Sequence, residues 1–136
     1  MTTSRPSRRP ARLLAGTAVV ALALVTTGAA AANAKGGDVR RSGSCSMAST
    51  WKLKAKPDNS ALQVEFEVDQ NKVGQTWSVA ITDNGANIFS GTRTTTAPSG
   101  SFTVAVRTPN RAGADQIVAK ATNAATGETC RGALSI

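Results

Sequence analysis

The sequence predicts an all-β fold, an antiparallel sandwich of seven short strands closed by one disulfide and preceded by a signal peptide. Three observations predict it. From Cys45 onward, apolar and polar residues alternate with a period of two; turn residues interrupt the runs at regular intervals; and no stretch of that region carries helical periodicity or an internal repeat. Such alternation turns one face of each strand inward, and two apolar sheet faces cover each other in a sandwich of about 100 residues.

The N-terminal 34 residues have a different composition. Arg5, Arg8, Arg9 and Arg12 make a basic start, residues 13–25 (LLAGTAVVALALV) an apolar middle, and Ala32-Asn33-Ala34 a small-x-small cleavage site. This is the pattern of a secretory signal peptide over residues 1–34. Ser7-Arg8-Arg9 approaches a twin-arginine signal, but Ala11 and Arg12 occupy positions where that pattern is apolar, so Sec-type export and a secreted, extracellular chain are expected. The apolar middle is short for a bilayer span and nothing later replaces it, so no membrane anchor is expected. Cleavage removes four arginines and no acid, which lowers the formal charge from +8 to +4. A small charge spread over both signs favours solubility and argues against nucleic acid as a partner.

Residues 35–44 (KGGDVRRSGS) are glycine-rich, charged and aperiodic, and are expected to form a flexible leader before a single domain at 45–136. In the first run, 45–56, Cys45, Met47, Trp51 and Leu53 share a face. Leu62, Val64, Phe66 and Val68 point inward from 61–69, and Trp77, Val79 and Ile81 from 75–83. Asp83-Asn84-Gly85-Ala86 is a two-residue hairpin signal into 87–94. Phe102, Val104 and Val106 point inward from 101–108, Ile117, Ala119 and Ala121 from 115–122, and 129–136 completes the set.

The segment STWKLKAKPDNSALQVEFEVDQ sets lysines at alternate positions before a polar turn and acids at alternate positions after it. With residues 57–60 as a four-residue loop, Trp51 faces Phe66, Leu53 faces Val64 and Lys52 faces Glu65, so one register serves both faces. The charges then form a solvated, mutually neutralised sheet face, worth little beyond solubility and register.

CSMASTWKLKAK, the FEVDQN run, APSGSF and GETCRG resemble small secreted single-domain proteins of actinobacteria with immunoglobulin-like or fibronectin-type sandwiches, mostly without an assigned function. The resemblance covers residues 45–136. It implies an immunoglobulin-like strand order that brings Arg107 beside the acids of the second strand and sets Cys45 and Cys130 at one end. These are the only cysteines, and in an exported protein they are expected to pair. Trp77 stands on the third strand, as in antibody domains. A chain without tyrosine has no tyrosine corner, however, and its cysteines are not on the second and sixth strands.

The chemistry available is narrow. Without histidine there is no Ser-His-Asp triad and no histidine metal cluster, and paired cysteines are not nucleophiles. Glu65 and Glu67 sit beside lysines on an exposed ladder, where a general acid would need burial. Asp69-Gln70-Asn71 and Asp83-Asn84-Gly85 are turns that lack the ligand count of a calcium loop. No catalytic residue, metal site or cofactor is expected. Trp51 and Trp77 fall on inward faces, which removes the aromatic row of a sugar-stacking module.

One surface stands out. Pairing Ala121 with Cys130 sets Lys120 opposite Arg131 on the outer face, with Val118 and Ala133 beside them and Ala80 and Phe89 from the neighbouring hairpin. Like charges directly opposed cost stability, and apolar surface next to charge marks interfaces. Phe89, Val118, Lys120 and Arg131 are therefore the candidate interaction face. The expected function is that of a monomeric, non-catalytic binding module for a protein or cell-envelope component. The alternatives are a carbohydrate or small-ligand binder, and an exported enzyme inhibitor presenting residues 92–100 as a rigid loop.

Overall fold

A computed structural model describes residues 36–136; the expected signal segment lies outside them. Eight strands form, one more than the periodicity predicts: β1 (Val39–Ser44), β2 (Thr50–Asp58), β3 (Ala61–Asp69), β4 (Thr76–Asp83), β5 (Ala86–Thr94), β6 (Ser101–Pro109), β7 (Gln116–Asn123) and β8 (Thr129–Ser135). They make two four-stranded sheets, β1-β2-β3-β6 and β5-β4-β7-β8, with every neighbouring pair antiparallel. The chain changes sheet between β3 and β4, between β5 and β6, and between β6 and β7.

The extra strand corrects the reading of residues 35–44 as leader. β1 pairs along its length with β2, from Val39 opposite Ala55 to Ser44 opposite Thr50. Its backbone hydrogen bonds hold it, since Val39 is its one large apolar side chain, and a strand so held shows no apolar alternation.

The β2–β3 hairpin corrects the expected register. Asp58 faces Ala61 across a two-residue turn, Asn59-Ser60, in which Asn59 takes a left-handed φ of 57°. Every partner thereby moves by two positions relative to a four-residue loop: Leu53 faces Phe66, Ala55 faces Val64, Lys52 faces Glu67 and Lys54 faces Glu65. A shift of two keeps each side chain on its face, so the inward set is unchanged while the ion pairs are reassigned. Pro57, which donates no hydrogen bond, lies beyond the last β1 partner of β2, Ala55, so β1 loses no bond to it.

The two inner faces meet in one core built from Leu53, Val64, Phe66, Val68, Trp77, Ile81, Val104, Ile117 and their neighbours. Trp77 is fully buried, packs at a tilt on Phe102 with ring centres 6.2 Å apart, and donates its indole N–H to Gln70 Oε1 at 3.0 Å. That bond satisfies the one polar atom such a ring carries into the core. Met47, by contrast, lies in the β1–β2 connection and is 58% exposed, because the expected first strand begins only at Thr50.

Cys45 and Cys130 are bonded, with Cα atoms 4.3 Å apart, and tie the β1–β2 connection to the start of β8. Beside them the buried Glu128 accepts hydrogen bonds from the amide and the hydroxyl of Ser49, both at 2.8 Å. The buried Asp83 at the end of β4 accepts from Thr108 Oγ1 of the other sheet at 2.8 Å.

Candidate functional site

The two outer faces differ in how their charges are used. On the β1-β2-β3-β6 sheet, Lys52 meets Glu67 at 3.0 Å and Lys54 meets Glu65 at 3.4 Å; Arg107 meets Asp58 at 2.6 Å and Arg40 meets Asp38 at 3.1 Å. A groove of about 670 Å³ runs over this face, lined by Arg40, Ser42, Lys52, Lys54, Glu65 and Glu67. The Glu67 carboxylate, first by hydrogen bond and then by its charge, holds the Lys52 ammonium above its ordinary 10.5. The expected neutralised face is present, with one correction. Arg107 engages Asp58 at the hairpin and not the glutamates, because β6 sets it opposite Gln63.

The β5-β4-β7-β8 sheet presents the opposite arrangement. Every side-chain carboxylate on or flanking its strands, Asp83, Asp115 and Glu128, is buried. Its outer face holds Lys120 directly opposite Arg131, both exposed, and neither enters an ion pair among the described residues. In water, two unit charges about 5 Å apart repel by somewhat less than 1 kcal/mol, and an anion between them reverses the sign. The register builds the rest of the face in rows. Thr92, Ser78, Thr122 and Thr129 lie side by side, then Ser90, Ala80, Lys120 and Arg131. A shallow groove of about 400 Å³ runs over Ser78, Ala80, Ser90, Thr92, Lys120 and Thr122. No hydroxyl among those residues is used in a hydrogen bond within the described chain.

Of the four residues predicted for this face, the structure brings three together. Val118, Lys120 and Arg131 lie on it, with Val118 half-buried between Thr82 and Ala133. Phe89 does not. A β-bulge between Ile81 and Thr82 adds Ile88 to β5, so Phe89 faces the inward Ile81 where an unbulged hairpin would set it opposite the outward Ala80. One extra residue inverts the alternation for the remainder of the strand. Phe89 packs at the margin of the core, with the Arg93 guanidinium 4.7 Å from its ring centre, and Gly91 leaves room beneath it.

The hydroxyl row escaped the sequence reading: alternation sets Ser78 and Thr122 outward, but only the bulge that turns Phe89 inward brings Ser90 and Thr92 to the outer face. The tryptophans do not form a sugar platform on either face, since Trp77 is buried and Trp51 packs half-buried against the core. The loop after β5 is pinned. Thr95 is buried, donates its hydroxyl to Lys72 O at 2.6 Å and accepts from the Gln75 amide at 2.9 Å.

Among the described residues, no three of the Cys, Asp and Glu side chains gather as a metal site, and no helix is long and apolar enough to cross a membrane. No family model, curated protein or solved structure matches the chain.

Proposed function

We propose that this chain is an exported, non-catalytic binding module of immunoglobulin-like type, and that it engages an anionic partner outside the cell through the outer face of the β5-β4-β7-β8 sheet. One observation carries the reading. Lys120 and Arg131 are opposed, exposed and without a carboxylate, on a sheet whose acids are all turned inward. On the opposite sheet Arg40, Lys52, Lys54 and Arg107 each meet a carboxylate, whereas an unbalanced pair at a direct cross-strand position is a cost that a bound anion removes. The strand order supports the fold assignment. With β1 set aside, β2-β3-β6 against β5-β4-β7-β8 is the order of a fibronectin-type sandwich. The disulfide and the signal pattern of residues 1–34 support export.

Retention on phosphocellulose tests the reading. Lys120→Glu with Arg131→Glu should elute at distinctly lower salt than Lys56→Glu with Lys72→Glu, which changes the net charge equally at other places. Equal elution of the two double variants would show that only net charge matters and would remove the proposed face.

A further inference from the structure

We infer that the anion bound by this face belongs to a polyhydroxylated chain, such as a sugar or polyol polymer bearing phosphate or carboxylate groups; the inference rests on the anionic-partner reading above. The observation is what surrounds the two cations. The groove that begins at Lys120 runs over β7, β4 and β5 between four hydroxyl side chains, those of Thr122, Ser78, Ser90 and Thr92. Each hydroxyl offers one donor and two acceptor positions and spends none of them within the described chain. The floor is Ala80, too small to block a ligand lying across the strands.

This composition selects among anions. A polypeptide of acidic residues presents carboxylates on apolar stems and has few hydroxyls to exchange bonds with the row. A flat aromatic ligand finds no ring on which to stack, since Phe89 is turned to the inner side. A nucleic acid would need a broader basic field than one pair. A polyol matches the row because each of its hydroxyls donates and accepts, and its charged group reaches Lys120 and Arg131 at the end of the groove. The volume of about 400 Å³ holds one or two repeating units.

Isothermal titration of the disulfide-intact protein with three probes tests this: an oligomer of glycerol phosphate, poly-L-glutamate of matched charge, and neutral dextran. The variants are Ser78→Ala with Thr122→Val, which removes two hydroxyls while keeping strand-compatible side chains, and Lys120→Glu with Arg131→Glu. Expected is preference for the glycerol phosphate oligomer, weakened about five- to thirtyfold by the hydroxyl pair of substitutions and abolished by the charge pair. Poly-L-glutamate should be indifferent to the hydroxyl substitutions. If poly-L-glutamate binds as well as the polyol phosphate and the hydroxyl substitutions change neither, the polyol assignment is wrong and the anionic reading stands. Should neither polyanion bind, both are wrong. Tryptophan emission from the buried Trp77 confirms that each variant is folded.

Discussion

Trp51 of one sheet lies against Gly132 of the other: a Cβ on Gly132 would stand 2.7 Å from Trp51 Cζ3 and 2.8 Å from Cε3. The same ring covers Gly43, its partner on β1, where a Cβ would meet Cζ2 at 2.8 Å. Two glycines on two strands thus make the slot in which one indole closes the gap between β1 and β8. Gly132→Ala should force the ring outward. Overpacking of this kind costs about 1 to 3 kcal/mol. Because Trp51 is only half-buried, part of that strain is relieved by the ring swinging into solvent. Denaturant unfolding of Gly132→Ala should therefore show a lowered midpoint together with red-shifted, more quenchable emission. An unshifted spectrum would mean that the slot has slack.

The disulfide spans 85 residues and joins the first described connection to the last strand. Closing a loop of that length removes chain entropy from the unfolded state, worth about 4 to 5 kcal/mol as an upper estimate. For a domain of this size that is a large share of net stability. The reduced protein should unfold at a much lower denaturant concentration with a larger m-value, since its unfolded chain is less compact. A midpoint that does not move on reduction would mean that the sandwich is held by its core alone.

Asp83 is the buried group with the most at stake. Its Oδ2 accepts from Thr108 across the sandwich, while its Oδ1 has no hydrogen-bond partner. Thr108→Val keeps the shape of a buried β-branched side chain and removes that single donor, leaving both oxygens unsatisfied. The expected cost is about 2 to 3 kcal/mol. In an Asp83→Asn background the same substitution should cost less, because a neutral amide tolerates burial better than a carboxylate. Chemical denaturation of the four proteins of this cycle gives the coupling directly, and a coupling near zero would separate the two residues energetically.

The core was legible residue by residue in the alternation of Leu62, Val64, Phe66 and Val68, or of Trp77, Val79 and Ile81, because burial imposes a period of two on side chains. The turn Asn84-Gly85 was legible for a related reason. Both residues take left-handed φ, 48° and 82°, which few other pairs accept as readily. What escaped is what the backbone decides without the side chains. β1 is held by hydrogen bonds between residues such as Ser42 and Gly43 that carry no apolar signal, and the bulge at Ile88 adds one residue where composition shows nothing unusual. That residue turned Phe89 away from the candidate face. Lys120 opposite Arg131 was legible because β7 and β8 pair without a bulge around a fixed disulfide position, Ala121 opposite Cys130.

Lys52 provides a pH test of the charged face. Glu67 raises its pKa above the ordinary 10.5, by hydrogen bond first and by charge second. A lysine with a higher pKa in the folded than in the unfolded chain adds stability that is complete below the unfolded value. That contribution fades as the pH climbs through the folded value. It should therefore be present throughout the neutral range and lost only in strong alkali, above the usual lysine titration. The ammonium is fully exposed, so the effect on stability is small and is best read from the titration itself. Following the Lys52 side-chain resonance by NMR, Glu67→Gln should bring its midpoint down toward 10.5, while Glu65→Gln, which faces Lys54, should leave it in place. A Lys52 midpoint that is the same in all three proteins would show that the pair at 3.0 Å is open in solution.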